Sequence, residues 1–241
     1  MKLIKFDEVD STNTYLKNNY LKYSDFTFVL TNYQSAGKGR FGRTFEVLKD
    51  QGLMFSFLLK SEKYLSIYHL LPIIIATTIA TTLDELHDLK TKIKWPNDIY
   101  INNLKVSGIL LEGISNESLE GIVCGVGINL FQENFNDSSF KATSLKLETK
   151  TPIEKEVLFE KLIMNLQMNI ENFLYKIYDP IKIINIKNYL FNKKCFAKIN
   201  NDREEITVLN INNQGFLRVQ RSDGEISEID SGEITFKVSS N

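Results

Sequence analysis

Features that often decide the class of a protein are scarce in this sequence of 241 residues. It has two cysteines, two histidines and one tryptophan. Neither Cys124 nor Cys195 belongs to a C-x-x-C pair or to a cysteine–histidine cluster with metal-ligand spacing, so we predict two buried thiols. His69 and His87 lie in one helical stretch without a second metal ligand nearby, so we expect structural roles for both.

A large net charge and a long apolar run are also missing. The chain has 29 Lys+Arg against 30 Asp+Glu, and this balance gives no field over the whole protein that would attract nucleic acid. The longest apolar run, residues 70–76, is much shorter than a membrane span, and the N-terminus has no apolar segment of a signal peptide. We therefore expect a cytoplasmic protein that does not bind a membrane.

The pattern of apolar residues divides the chain into two parts. Hydrophobic residues make up 43% of the chain and charged residues 24%, which are globular values for a chain long enough to bury a large core. Residues 1–190 mix helical and strand patterns, whereas residues 191–241 contain short alternating runs separated by turn residues. We predict an α+β domain over residues 1–190 and a small β domain over residues 191–241.

Helix signals in the first part lie on both sides of a dense strand region. Ser11 is predicted to be the N-cap of a short helix, and Pro72 a first-turn or kink residue in a helix over residues 65–87. An apolar stripe at helical spacing predicts a core helix over residues 153–178, which Pro180 ends before a second short helix. Strands are predicted at residues 26–33 and 52–60 and in four segments between residues 91 and 131.

A loop rich in glycine and cations joins the first two of these strands. Its sequence is QSAGKGRFGRTF, residues 34–45, and its glycine spacing matches the dinucleotide fingerprint and nearly matches the protein-kinase loop. A strand follows too soon after the loop for a crossover helix, which makes the dinucleotide interpretation weak, and the sequence has no DFG motif, which rules out the kinase interpretation. The remaining interpretation is a loop whose glycines allow close approach of the backbone while Lys38, Arg40 and Arg43 bind an anion.

Four other motifs accompany this loop in a fixed order: STN at 11–13, KWPND at 94–98, KVSGIL at 105–110 and GVGIN at 125–129. Together with the loop they resemble the catalytic domain of biotin-protein ligases, whose pattern is S-T-N, Q-x-x-G-R-G-R-x-G-R, K-W-P-N-D, K-x-x-G-I-L and G-x-G-x-N. The match spans most of residues 10–130, and the C-terminal segment around Gly232 resembles the small SH3-like domain of that family. Each motif alone is weak, but the ordered set is specific.

The resemblance implies a fold and a reaction. The fold would be a class II synthetase-like α+β domain, with a mixed or antiparallel sheet and helices on one side, followed by a small SH3-like β-barrel. The enzyme would use ATP and Mg²⁺ to convert biotin to biotinyl-5'-adenylate. It would then transfer the biotinyl group to a lysine of a biotin carboxyl carrier protein or domain, belonging to acetyl-CoA carboxylase or a related carboxylase.

The same resemblance assigns roles to individual residues, and the chemistry of their side chains suits these roles. Hydroxyls and amides can pair with a ureido group, and cations can screen the repulsion between a carboxylate and a phosphate. The ureido group is assigned to Ser11, Thr12, Asn13 and Gln34, and close approach of a strand to the ring to Gly108. Lys38, Gly39, Arg40 and Lys105 would surround the carboxylate and the α-phosphate, and Gly37 would be a further binding residue of the loop. Trp95 and Asn129 would lie on the adenine side. The catalytic residues would be Lys105, Arg40 and Asp98, with Asp98 also a candidate magnesium ligand or proton acceptor.

Two departures from the family pattern carry expectations of their own. Lys38 stands where the family usually has arginine, which keeps the charge but loses the planar fork that binds two oxygens at once. Some relatives carry an N-terminal helix-turn-helix domain, and Ser11 lies too close to Met1 for one, so we expect no DNA binding. The sequence leaves a homodimer open, because an edge strand could pair two subunits.

Other interpretations stay open beside this one. Taken alone, Ser11-Thr12-Asn13 could be only a helix cap, and Trp95-Pro96-Asn97-Asp98 only a tight turn. A lipoate-protein ligase shares the adenylate chemistry but lacks the G-R-G-R-x-G loop. A sensor that binds biotin or a nucleotide without catalysis is a third possibility, against which the retained Lys105 and Asp98 argue.

Overall fold

The computed structural model describes residues 1–135, 141–199, 202–230 and 233–236. Gly232 of the C-terminal motif and the end of the last predicted strand lie outside the described residues. The strands are β1 (Lys2–Val9), β2 (Thr27–Gln34), β3 (Gly52–Leu59), β4 (Lys92–Lys94), β5 (Asp98–Ile101), β6 (Leu104–Ser115), β7 (Leu119–Asn129), β8 (Lys194–Ile199), β9 (Asp202–Ile211), β10 (Leu217–Arg221), β11 (Ile226–Ile229) and β12 (Glu233–Phe236). The helices are α1 (Thr12–Asn19), α2 (Glu62–Leu65), α3 (Leu71–His87), α4 (Leu145–Glu148), α5 (Lys155–Leu174) and α6 (Pro180–Ile186).

Seven strands form one mixed sheet in the order β1-β2-β3-β7-β6-β5-β4. The strands β1 and β2 run parallel, and every other neighbouring pair runs antiparallel. The α+β fold class expected from the sequence is therefore confirmed. Strand β1 was not predicted from the sequence; its exposed charged residues alternate with half-buried apolar ones at the edge of the sheet.

The two faces of this sheet receive alternate residues of each strand, because successive side chains of a strand point to opposite sides. One face, which we call the filled face, packs Phe55 and Phe57 of β3 into the same core as α3 and α5. On the other face, which we call the cleft face, Leu16 of α1 packs with Leu58 and Val123. The long helices thus lie on one side, as expected, and the short α1 covers part of the other.

The predicted helix over residues 65–87 is wrong at its start. Residues 62–65 form the separate short helix α2, and α3 begins at Leu71 with Pro72 in its first turn. Proline suits this position because its fixed φ is helical and its missing N–H would be unpaired there anyway. The predicted first-turn role of Pro72 is confirmed. The predicted cap is confirmed too, since the Ser11 side chain accepts a hydrogen bond from the Thr14 N–H.

The C-terminal strands form an antiparallel five-stranded sheet in the order β11-β10-β9-β8-β12. Its inner residues, including Ile206, Val208 and Leu217, belong to the same hydrophobic cluster as α3 and the filled face. Cys124 and Cys195 are free and buried, as predicted, and burial raises the pKa of the Cys195 thiol to about 11. No helix among the described residues has the length and apolar character needed to cross a membrane.

Candidate active site

A cleft of about 870 Å³ lies on the cleft face of the seven-stranded sheet. It brings together all five sequence motifs, although more than a hundred residues of chain separate the first motif from the last. Each residue to which the sequence analysis assigned a role lines this cleft: Ser11, Thr12, Asn13, Gln34, Gly37, Lys38, Gly39, Arg40, Trp95, Asp98, Lys105, Gly108 and Asn129. The predicted clustering of these residues agrees with the structure, while the role of each stays a prediction.

Glycines on the central strands shape the floor of the cleft. In the register of the sheet, Gly127 lies opposite Gly108, and Gly125 lies opposite Ser56. A Cβ atom on Gly125 would lie 2.3 Å from Asn13 Oδ1, and one on Gly127 would lie 2.3 Å from the Phe45 ring. Side chains at these positions would therefore displace groups that form the site, which explains the two glycines of the GVGIN motif.

One end of the cleft is a largely buried network of hydroxyl and amide groups that ends at the carboxylate of Glu112. The Thr12 N–H donates to Gln34 Oε1 at 2.9 Å, and the Thr12 and Ser56 hydroxyl oxygens are 2.6 Å apart. The Ser56 hydroxyl donates to Asn13 Oδ1 at 2.6 Å, and Asn13 Nδ2 donates to Glu112 Oε2 at 2.9 Å. Thr12, Asn13 and Ser56 are almost completely buried. Such a network can hold a neutral, planar polar group in a fixed orientation.

The other end of the cleft carries cations. Lys105 Nζ lies 2.7 Å from Asp98 Oδ1, and both side chains are about one-fifth exposed. The Arg40 guanidinium donates to Asn97 Oδ1 at 2.8 Å, and Asn97 Nδ2 donates to the Ile109 carbonyl at 2.8 Å. Asn97 therefore ties the glycine loop to β6. This end can attract an anion to Lys105 and Arg40 together.

The glycine loop is a narrow hairpin over the cleft. The Phe45 N–H donates to the Gly37 carbonyl at 3.1 Å, and the Gly39 N–H donates to the Arg43 carbonyl at 2.7 Å. Its tip holds Phe41, which has a positive φ of 57° and a side chain 61% exposed. This geometry confirms the predicted strand–loop–strand and explains why no crossover helix follows the loop.

Trp95 and Asn129 are both engaged with other parts of the chain. The Trp95 indole N–H donates to the Gly215 carbonyl at 2.9 Å, across to the turn between β9 and β10. Asn129 Nδ2 donates to the Thr143 carbonyl at 2.9 Å. Both residues also line the cleft, so their predicted contacts with a nucleotide stay predictions.

A magnesium site made by protein side chains alone is absent from the described part of the chain, where no group of three or more His, Cys, Asp or Glu could hold a metal ion. Asp98 offers one carboxylate, and its Oδ1 already pairs with Lys105. Because Mg²⁺ commonly uses one or two carboxylates and completes its shell with phosphates and water, these residues fit a magnesium ion that arrives with a nucleotide.

Four residues of the site were given no role by the sequence analysis. Ser56 and Glu112 lie inside strands, where their alternation with apolar residues shows only that they face the cleft side. Phe45 follows the glycine loop, and Asn97 lies within the KWPND motif. A polar residue at a strand position where an apolar one is expected can mark a functional residue in a sequence. Of these four residues Ser56 gives this signal, and it is fully buried in the structure.

Comparisons with known proteins agree with this geometry. The model of the biotin/lipoate A/B protein ligase family matches residues 5–129. The bifunctional ligase/repressor BirA of Escherichia coli is 28% identical over 233 residues, covering 95% of this chain and 72% of that protein. The Bacillus subtilis protein of the same name is 26% identical over 214 residues, covering 83% of this chain, and the chain spans about two thirds of its length.

Solved structures agree along nearly the whole chain. Biotin protein ligase from Aquifex aeolicus in complex with biotin and ATP superimposes with a TM-score of 0.83 at 27% identity, and 97% of each chain is covered.

Proposed function

The chain belongs to the biotin/lipoate A/B protein ligase family, and from this premise we propose that it is an ATP-dependent biotin-protein ligase. In the first step, the biotin carboxylate attacks the α-phosphorus of ATP, which forms biotinyl-5'-adenylate and releases pyrophosphate. In the second step, a lysine amine of a carrier protein attacks the acyl carbon. An amide forms, and AMP leaves with the bonding electrons of the mixed anhydride.

The observation that supports this proposal most strongly is that one cleft has a polar hydrogen-bonding network at one end and cations at the other. The network around Thr12 and Asn13 suits the ureido group of biotin, and Lys105 with Arg40 suits the carboxylate and the α-phosphate. The complex of the Aquifex aeolicus enzyme with biotin and ATP supports the same pair of ligands for this chain. Ser11 caps α1, which holds Thr12 and Asn13 in place, and it also lines the cleft, where we propose that it contacts the ureido group as well.

Charge neutralisation is the main catalytic contribution that we propose. Two anions must meet in the first step, and fixed cations lower the cost of that encounter most when water is excluded. We assign Lys105 to the carboxylate and the α-phosphate and Arg40 to the phosphate and, later, to the adenylate. Lys38, Gly37 and Gly39 contribute charge and backbone N–H groups from the loop, and Gly108 leaves space for the ring.

Asp98 has two proposed roles beside Lys105. The carrier lysine is protonated near neutral pH, since a free lysine has a pKa of about 10.4, and must lose a proton before it attacks. Asp98 is the carboxylate placed next to Lys105 that can accept it. When magnesium enters with ATP, Asp98 would offer it one carboxylate oxygen, and the ion would offset phosphate charge. Trp95 and Asn129 are assigned to the adenine side.

The glycine loop is proposed to cover the reactive adenylate, which water would otherwise hydrolyse. The loop would gain order when Arg40 and Lys38 contact the bound anion. Hydrogen exchange over residues 34–45 should slow when biotin and a non-hydrolysable ATP analogue are added together. Unchanged exchange would contradict a closing role for the loop.

The partner that we propose is a biotin carboxyl carrier protein or domain of a carboxylase. We also propose that residues 1–190 form the catalytic unit and residues 191–241 a small β unit that shares its core. A lipoate-protein ligase and a non-catalytic sensor are the competing functions.

The deciding experiment has two parts. Biotin-dependent exchange of labelled pyrophosphate into ATP should occur, because adenylate formation is reversible. A sensor would give no exchange, and a lipoate ligase would respond to lipoate instead. Mass spectrometry of a carboxylase carrier domain, after incubation with the protein, ATP and biotin, should then show one added biotinyl group. The same incubation with the protein carrying Lys105→Met is the control and should leave the carrier domain largely unmodified.

A further inference from the structure

The Asn13 side chain is held in one orientation by two groups that can only accept hydrogen bonds. Its Nδ2 lies 2.9 Å from Glu112 Oε2 and 3.5 Å from the Leu110 carbonyl oxygen. Neither group can donate, so Oδ1 of Asn13 must face Ser56. Glu112 makes the shorter of the two contacts and lies on β6, outside every motif singled out in the sequence.

Gln34 is held in the same way at the far end of the network. Its Oε1 receives the Thr12 backbone N–H at 2.9 Å, and a backbone N–H can only donate. Both amides therefore present oxygen atoms to the pair of hydroxyls that lies between them.

The number of hydroxyl protons is then one too few. Three contacts need a proton: Thr12 Oγ1 to Gln34 Oε1 at 3.0 Å, Thr12 Oγ1 to Ser56 Oγ at 2.6 Å, and Ser56 Oγ to Asn13 Oδ1 at 2.6 Å. The two hydroxyls supply two protons. With oxygen acceptors at both ends, one of the three contacts lacks a proton at any moment, so this nearly buried network favours a hydrogen-bond donor that enters it from the cleft.

From this count we infer that Glu112 is a positioning residue that makes this end of the cleft rich in acceptors, so that it selects an acid whose ring carries N–H groups. The inference rests on the proposed function and specifies its substrate class: a cyclic urea supplies N–H donors, whereas the ring of lipoate supplies none. Glu112 acts through Asn13 and Ser56 and needs no contact with the substrate.

The isosteric variant Glu112→Gln separates this role from a purely structural one. The new amide can donate to Asn13 Oδ1, and the longer 3.5 Å contact with the Leu110 carbonyl is then the one contact among the described residues that opposes turning Asn13 over to donate to Ser56. Ser56 can then donate to Thr12, and Thr12 to Gln34, which satisfies all three contacts without a ligand. Stability should be unchanged or higher, while affinity for a donor-bearing ligand falls.

The measurements are KM values in pyrophosphate exchange and dissociation constants from calorimetry. For Glu112→Gln we expect KM for biotin to rise about tenfold, because the loss of a hydrogen bond to a charged group typically weakens binding by about that factor. We expect kcat and KM for ATP to stay nearly unchanged. The dissociation constant of desthiobiotin, which keeps both N–H groups, should rise by the same factor. The melting temperature should not fall.

A reciprocal variant and a control complete the test. Asn13→Asp combined with Glu112→Gln returns a fixed acceptor to Ser56, so it should recover most of the affinity for biotin. Glu120→Gln removes a carboxylate that accepts from the Tyr20 hydroxyl outside the cleft, and it should leave both constants unchanged. An active wild-type protein whose biotin constants are unaltered by Glu112→Gln would overturn the inference, as would a drop in stability that accounts for the lost affinity. A wild-type protein without exchange would instead contradict the proposed function.

Discussion

The filled face and the cleft face of the central sheet are made from the same strands, yet they follow different rules. On β3, Phe55 and Phe57 fill the space toward α3 and α5, and the intervening Ser56 faces the cleft. On β7, Val126 packs on the filled face, and Gly125 and Gly127 leave space on the other. On the filled face the residues are determined by the side-chain volume that the core needs. On the cleft face they are determined by the space that glycines leave and by the direction of hydrogen bonds.

The largest expected difference compares neighbours on β3. Phe55→Ala should lower the free energy of unfolding by about 3–5 kcal/mol, because it removes a buried ring that packs against Phe159. Ser56→Ala should change stability by less than about 1 kcal/mol and raise KM for biotin about tenfold. Urea unfolding and pyrophosphate exchange measure the two effects. Equal stability losses in both variants would remove the distinction between the faces.

A second comparison uses neighbours on β7. Gly125→Ala places a Cβ atom against Asn13, so we expect kcat/KM for biotin to fall at least about a hundredfold, or about 2.7 kcal/mol of transition-state stabilisation. Val126→Ala is the matched control: its side chain packs in the core of the filled face although the residue borders the cleft, so it should cost about 2 kcal/mol of stability and lower kcat/KM much less than Gly125→Ala does. A Gly125→Ala protein with the kcat/KM of wild type would show that the floor of the cleft can shift to accommodate the added Cβ atom.

A third prediction concerns the glycine loop, which contributes charge to the cleft and little to the core. Arg40→Ala should release the adenylate about ten times faster, because a charge-assisted contact is lost, and it should leave the melting temperature unchanged. Filter retention of labelled adenylate provides the measurement. Arg218→Ala on the C-terminal sheet is the control, and retention equal to wild type in Arg40→Ala would remove Arg40 from its proposed role.

The smallest expected effect is the pH dependence of stability caused by His87 of α3, the helix that packs on the filled face. His87 is buried and neither of its ring nitrogens has a hydrogen-bond partner, and burial lowers its pKa from the ordinary 6.5. Below about pH 6.5 His87 binds a proton in the unfolded chain but stays neutral in the native state. The free energy of unfolding is therefore highest above that pH and declines as the pH falls below it. His87→Asn should flatten this decline in urea unfolding at several pH values. The exposed His69→Gln is the control and should leave the decline in place.

The sequence was informative where chemistry is local. Pro72 and the Ser11 cap can be recognised from residue type alone, and the ordered motifs led to one cleft. It was less informative where a role depends on a distant partner. Glu112 meets Asn13 across 99 positions of the chain, and no local pattern marks that pairing.

The edge strand β1 was missed for a related physical reason. Only part of it is covered, so its charged and apolar residues alternate weakly and resemble a loop. Its strand character comes from pairing with β2, which begins 25 positions later at Thr27. The start of α3 was misplaced because residues 62–65 are helical themselves, which makes the two helices continuous in composition.

Trp95 is the one tryptophan in the chain, and its indole N–H is bonded to Gly215 while its side chain borders the cleft. Fluorescence excited selectively in tryptophan therefore originates from one place where the two sheets meet. The emission spectrum of the unlabelled protein becomes a built-in optical probe of ligand entry and of separation between the sheets, without any dye or added tag.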